Sequence, residues 1–266
     1  MKASLLFILG LLLTTAYVSA IDSLIFVKQI HIQSTQFTTD PVGNVYIVKG
    51  NNTLLKYNAK GDSIGFFNEI KKGKITQVDA SNPLRILIFL ADYGNVLMLD
   101  NLLTLKNTLK LNSLGIINAT CIANSADGSI WAYDPSGMLM KINNKPEISF
   151  TISLRNIVDQ ALDPIYMIEQ DRSLYLVDST QGIKKFDQFG FLKTSFPFLT
   201  KEIQYFNSYL VYYMPPYLIS YNTQSLQELK LMLPQHEDIV KVRVERNIVY
   251  ILRKESLDIY SLPTVE

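Results

Sequence analysis

Residues 174–196 read LYLVDSTQGIKKFDQFGFLKTSF. Short apolar or alternating runs are separated here by small polar turns, which is the pattern of antiparallel strands joined by hairpins. Similar segments recur, and each ends its third strand on an aromatic or aliphatic residue followed by Asn, Asp or Ser. These ends are Tyr57-Asn58, Leu99-Asp100, Ile142-Asn143, Phe186-Asp187, Tyr221-Asn222 and Tyr260-Ser261. A repeat of about 40 residues built from strand signals predicts a β-propeller with one four-stranded blade per repeat.

The last repeat has three strand signals, at 239–244, 248–252 and 257–262, and lacks an outer strand. An alternating run without partners of its own lies at the other end of the chain, at 23–32. Placed after residue 262, this run completes the sixth blade and closes the ring. We therefore predict an all-β, six-bladed propeller of four-stranded antiparallel blades. A sandwich or barrel of short strands is the alternative, and the regular repeat argues against it.

The segment at 174–196 resembles the NHL repeat of six-bladed propellers. The resembling features are an apolar second strand ending in Asp178, a Lys-Lys third strand that closes on Phe186-Asp187, and Gly190. NHL-like, TolB-like and quinoprotein-like rings serve as binding platforms, metal-dependent hydrolases or lyases. The resemblance therefore implies a fold, and it does not choose among these functions.

Residues 1–20 have the pattern of a secretory signal peptide: Lys2, an apolar run from Leu5 to Leu13, and small residues before a cut at Ile21. The apolar run is shorter than the roughly 20 residues of a spanning helix, although an uncleaved anchor is the alternative. We predict a signal peptide at 1–20 and a single propeller domain at 21–266. The mature chain is then exported, without insertion into a membrane, to the periplasm or cell envelope, or is secreted.

Charge and cysteine content exclude several classes of protein. The chain has 25 Lys and Arg against 24 Asp and Glu, so nothing in its net charge indicates a nucleic acid as partner. Its single cysteine, Cys121, cannot form an internal disulfide. Cys121 lies in an apolar stretch, which predicts a small buried residue rather than a nucleophile.

Hairpins between second and third strands, together with the links between blades, surround the central channel at one face of a propeller. Asp92, Asp134 and Asp178 occupy the same hairpin position in three blades, and His236 and Glu237 lie in a link. Such carboxylates could hold a divalent cation such as Ca²⁺, which would suit a metal-dependent hydrolase or lyase. A turn that recurs needs the same residue each time, so we favour aspartates that cap their own hairpins, and no other cofactor is expected.

Aromatic residues crowd the fifth blade, and part of this cluster must fill the wedge between blades. The hairpin tip carries the exposed candidates, which are Tyr213, Met214, Pro215, Pro216 and Tyr217. Such a tip suits a protein interface, or a carbohydrate-binding module as the alternative. Since no catalytic motif is recognisable, we expect a non-catalytic protein-interaction platform, or scaffold, in the cell envelope.

Overall fold

The computed structural model describes residues 24–68, 73–158 and 160–263. The predicted signal peptide lies outside these residues. The described chain forms six four-stranded antiparallel sheets, which confirms the six-bladed propeller. Its helical segments are short 3-10 turns at Ala91–Tyr93, Leu111–Leu114, Leu154–Asn156 and His236–Asp238.

The strands follow the chain from the inner to the outer edge of each blade, except that the first strand belongs to the last blade. That first strand is β1 (Ile25–His31). Blade one contains β2 (Ser34–Thr39), β3 (Val45–Lys49), β4 (Thr53–Tyr57) and β5 (Ser63–Asn68). Blade two contains β6 (Gln77–Asp79), β7 (Ile86–Leu90), β8 (Asn95–Leu99) and β9 (Leu105–Lys110). Blade three contains β10 (Cys121–Asn124), β11 (Ile130–Tyr133), β12 (Met138–Ile142) and β13 (Ile148–Ser153).

The second half of the ring repeats this order. Blade four contains β14 (Pro164–Gln170), β15 (Ser173–Asp178), β16 (Gly182–Asp187) and β17 (Leu192–Phe196). Blade five contains β18 (Gln204–Phe206), β19 (Tyr209–Met214), β20 (Tyr217–Asn222) and β21 (Glu228–Met232). Blade six contains β22 (Ile239–Glu245), β23 (Ile248–Arg253) and β24 (Ser256–Ser261), with β1 as its outer strand.

The ring closes as the sequence predicts. Strand β1 pairs antiparallel with β24, with Phe26 opposite Tyr260 and Ile30 opposite Leu257. The Gln29 amide donates to Asp258 Oδ1 at 2.8 Å. Both ends of the described chain therefore share one sheet, so blade six cannot separate from the ring without breaking that sheet.

Between each pair of neighbouring blades lies one apolar cluster, which gives the ring six wedges of core. Alternate residues of each strand point to opposite faces of its sheet, so each sheet contributes to two wedges. Large side chains pack in the wedges, and among them Trp131, Tyr46, Tyr133, Tyr175 and Tyr250 are fully buried. These wedges position the loops that surround the channel.

Two glutamines connect neighbouring inner strands. The Gln204 amide donates to Val244 O at 2.8 Å and its oxygen accepts from Val244 N at 2.8 Å. Gln77 makes the same pair of bonds to Ile122, at 2.7 and 3.1 Å. Because these side chains satisfy the backbone groups of an inner edge, they hold adjacent blades in register around the channel.

Candidate functional site

One end of the central channel widens into a recess of about 1010 Å³, which we call the mouth. Its walls come from inner strands, from links between blades and from the tip of the blade-five hairpin. This volume is at the upper end of the range of small-ligand pockets, roughly 300–1,000 Å³. The mouth is therefore a concave surface with room for a ligand or for a segment of another protein.

Part of the wall of the mouth is apolar and open to solvent. Ile165 is 45% exposed, Leu199 is 59% exposed and Met214 is 42% exposed. Behind them the ring of Phe198 stacks on Tyr212, with centroids 5.3 Å apart, so this wall rests on a packed aromatic cluster. Exposed large apolar residues that meet in one concavity are typical of binding surfaces.

Charged residues lie deeper in the mouth. Lys241 Nζ contacts Glu202 Oε2 at 2.5 Å. Burial lowers the pKa of Lys241, and the Glu202 carboxylate opposes that shift. Below this pair, Arg243 Nε donates to Thr39 Oγ1 at 2.9 Å, and Thr39 in turn donates to Glu245 at 2.7 Å. Opposite charges therefore pair inside the channel.

Two polar atoms of this network have no hydrogen-bond partner among the described residues, namely Glu202 Oε1 and Arg243 Nη1. Beyond Glu202 the channel narrows to a cavity of about 20 Å³ that Arg243 and Tyr166 line. Burial raises the pKa of the Tyr166 hydroxyl, so this group is neutral at physiological pH. An unpaired buried polar atom is costly, so these two atoms mark an unusual polar section of the channel interior.

A second recess of about 780 Å³ opens beside the mouth and shares Thr35, Gln36 and Ile75 with it. We call it the side recess. Its charged lining consists of Lys49, Lys74, Lys254 and Asp92.

The predicted aspartates do not converge. Asp134 accepts from the N–H of Met138 at 3.0 Å within its own hairpin. Asp178 accepts from the N–H groups of Thr180 and Gln181 at 2.8 and 3.0 Å. Asp92 is exposed on a 3-10 turn. The contacts of Asp134 and Asp178 are those of turn-capping residues.

His236 and Glu237 are exposed on a 3-10 turn and do not line the mouth. Their neighbour Asp238 pairs with Arg253 at 2.5 Å. Within residues 24–68, 73–158 and 160–263, no group of three or more His, Cys, Asp or Glu side chains could hold a metal ion. The candidate metal residues therefore do not form a common site.

The carboxyl of Asp178 gives a pH-dependent prediction. Burial by itself raises its pKa, but the backbone N–H groups and the Thr180 hydroxyl that donate to it outweigh burial and lower the pKa below its ordinary value. A depressed pKa stabilises the folded state above the unfolded pKa of about 3.9, and this contribution is lost as pH falls through the folded pKa. Asp178→Asn should cost about 1–3 kcal/mol at neutral pH. The difference from wild type should stay nearly constant from neutral pH to about pH 5 and should shrink as pH falls further towards about 2.

Urea denaturation over that pH range measures the effect. Asp171→Asn is the matched control, because Asp171 is exposed in the hairpin at the opposite end of the same blade. A loss in Asp178→Asn that stays constant with pH would contradict the role of the charge.

The blade-five tip divides into packed and open residues. Met214 and Pro215 are exposed and line the mouth, whereas Tyr213, Pro216 and Tyr217 are half-buried. The Pro215–Pro216 peptide bond is cis.

Cys121, far from this tip in blade three, is fully buried, and burial raises the pKa of its thiol to about 12. Cys121 is therefore a core residue, as its apolar surroundings predict.

Sequence reasoning missed the charged residues inside the channel. Lys241, Arg243 and Glu245 alternate with two valines in β22. This strand was predicted to be innermost, so each of its faces meets either another blade or the channel. Charged residues on one face were therefore a signal of polar side chains inside the channel. The lysines of the side recess had no such signal, because they are far apart in sequence.

Comparisons with known proteins support the fold. No protein-family model matches the chain, and no curated protein matches it. Among solved structures, the WD40 domain of Pan2 from Neurospora crassa has a TM-score of 0.67 at 8% identity, covering 92% of this chain and 98% of that domain. BamB from Moraxella catarrhalis has a TM-score of 0.55 at 9% identity, covering 92% and 99%. A streptogramin B lyase has a TM-score of 0.60 at 12% identity, covering 90% and 88%.

These identities are too low to carry an activity from one protein to another, so they show a shared propeller fold. Among the residues that the structure describes, none form a helix long and apolar enough to span a bilayer. The chain is therefore similar in fold to these solved structures, and its own six sheets form a six-bladed propeller, as the sequence predicts.

Proposed function

We propose that this protein is a non-catalytic propeller that binds a protein partner at the mouth of its channel. The observation that carries the proposal is the open apolar wall of Ile165, Leu199 and Met214 inside a recess of about 1010 Å³. Burying these side chains against a partner would remove apolar surface from water, which is the main favourable term in protein association. The rigid blades behind them would need little rearrangement on binding.

The fold neighbours include proteins from different functional classes, so they do not choose between binding and catalysis. The choice rests on the site itself. The candidate metal-binding side chains Asp134 and Asp178 cap their own turns, and His236 lies outside the mouth. The mouth instead offers apolar surface and paired charges, which suit recognition.

We further propose that the chain is exported to the cell envelope and acts there after removal of residues 1–20. The support is the sequence pattern of the leader. The intact mass of the protein purified from its native cells tests this. A mass that begins at Ile21 is expected, and a mass that retains the leader would contradict cleavage.

Pull-down from native membranes tests the binding function, with the full chain as bait. Wild type should recover a stoichiometric partner, and Met214→Glu should recover at least about tenfold less, because a charge in the apolar wall must be desolvated on binding. Phe189→Glu is the matched control, since Phe189 is 58% exposed in a loop between third and outer strands, at the opposite end of the ring. Equal recovery by both variants would contradict the proposed site.

A further inference from the structure

Exposed lysines surround the open end of the channel. Lys74 and Lys201 line the mouth, and Lys49 and Lys254 join Lys74 in the side recess; all four are exposed. The carboxylates that line the two recesses are Asp92 and Glu202, and Glu202 is paired with Lys241. The chain as a whole has a formal net charge of +1. The lining of this end is therefore far more positive than the average surface of the protein.

We propose that the occupant of the mouth is an acidic segment of a protein partner. This inference rests on the proposed function and names the chemistry of the partner. The segment places an apolar side chain against Met214 and Leu199, and its carboxylates lie beside Lys49, Lys74 and Lys254. Complementary charge of this kind accelerates association and selects the partner.

The shape of the site favours a chain segment over a compact anion. The mouth and the side recess are continuous, with the apolar wall in the mouth and three lysines around the side recess. An extended peptide advances about 3.3 Å per residue and can cross both recesses with alternate side chains directed into them. A free phosphate or small carboxylate would fill neither the volume nor the apolar wall.

The probe is a fluorescein-labelled synthetic peptide of alternating glutamate and leucine, and the measurement is fluorescence anisotropy with the full mature chain. We expect saturable binding that weakens as salt rises, because the rim charges are screened. The same peptide with lysine in place of glutamate should not bind. Lys74→Glu with Lys254→Glu should weaken binding by at least about tenfold.

Lys60→Glu with Lys145→Glu is the matched control. Both lysines are exposed in loops between third and outer strands, away from the mouth, and the pair changes the net charge by the same amount. This variant should bind within about twofold of wild type. Equal weakening in the two double variants would overturn the proposal. So would binding of a single-stranded oligonucleotide as tight as that of the peptide.

The two proposals fail differently. Loss of partner recovery in Met214→Glu together with no binding of the acidic peptide would overturn the acidic occupant and leave the mouth as the partner site. If Met214→Glu bound the acidic peptide as tightly as wild type does, the apolar side chain of the segment would not lie against Met214. That result would also contradict a single site for the peptide and the partner protein.

Discussion

A chain that begins at Ile32 should lose cooperative folding, whereas a chain that begins at Leu24 should keep it. The first lacks β1 and the second retains it. Without β1, strand β24 becomes an open edge, although its residues Leu257 and Ile259 are fully buried in the intact ring. Each such side chain contributes about 1.5–3 kcal/mol through burial. A domain is stable by only about 5–15 kcal/mol, so opening this edge should remove a large part of its stability.

Thermal unfolding followed by circular dichroism, with size-exclusion chromatography, measures this effect. The chain from Ile32 should show no sharp transition, or one at a much lower temperature, and should aggregate through its open edge. A synthetic peptide of residues 24–31, added in trans, should restore the transition. An unchanged melting curve without the strand would contradict ring closure.

Arg253→Ala should cause the second large loss of stability. The Arg253 side chain is 4% exposed, and its Nε donates to Asp258 Oδ2 at 2.6 Å. Its other nitrogens donate to Asp238 and to the carbonyls of Pro234 and Gln235, which holds the link before β22 against blade six. Removing it leaves the Asp258 carboxylate, itself 2% exposed, without its cation. Breaking a buried pair in this way costs about 3–5 kcal/mol.

Urea denaturation of Arg253→Ala measures the loss. Arg246→Ala is the control, because Arg246 is exposed in the same blade and should change stability by less than about 0.5 kcal/mol. Arg253→Lys should lie between the two, since one ammonium cannot reproduce the fork of guanidinium donors. Equal stability of the two alanine variants would rule out the proposed role of the buried pair.

The fold was predictable because its signals are local and repeated. Each blade contributes alternating runs and turn residues within about 40 residues, so six copies of one weak pattern reinforce each other. Ring closure was also predictable, since a surplus strand at one end matches a missing strand at the other. The structural role of Asp178 followed from turn chemistry, which depends only on residues two and three positions along the chain.

The mouth was less predictable, because its residues come from five inner strands and from links that are distant in sequence. The exposure of Met214 and Pro215 could be predicted from their position at a hairpin tip. The pairing of Lys241 with Glu202 joins two blades, and the single pattern that pointed to it was the charged alternation of β22. His236 illustrates the opposite case, since its residue type suggested a metal ligand but it lies on an exposed turn that does not line the mouth.

Site-specific photo-crosslinking in native cells tests the central claim most directly. A photoreactive amino acid is placed at position 214, at the mouth, or at position 189, at the opposite end of the ring. We predict a covalent adduct with a partner protein from position 214 and none from position 189. An adduct from position 189 alone, or from neither position, would contradict the assignment of the mouth as the binding surface.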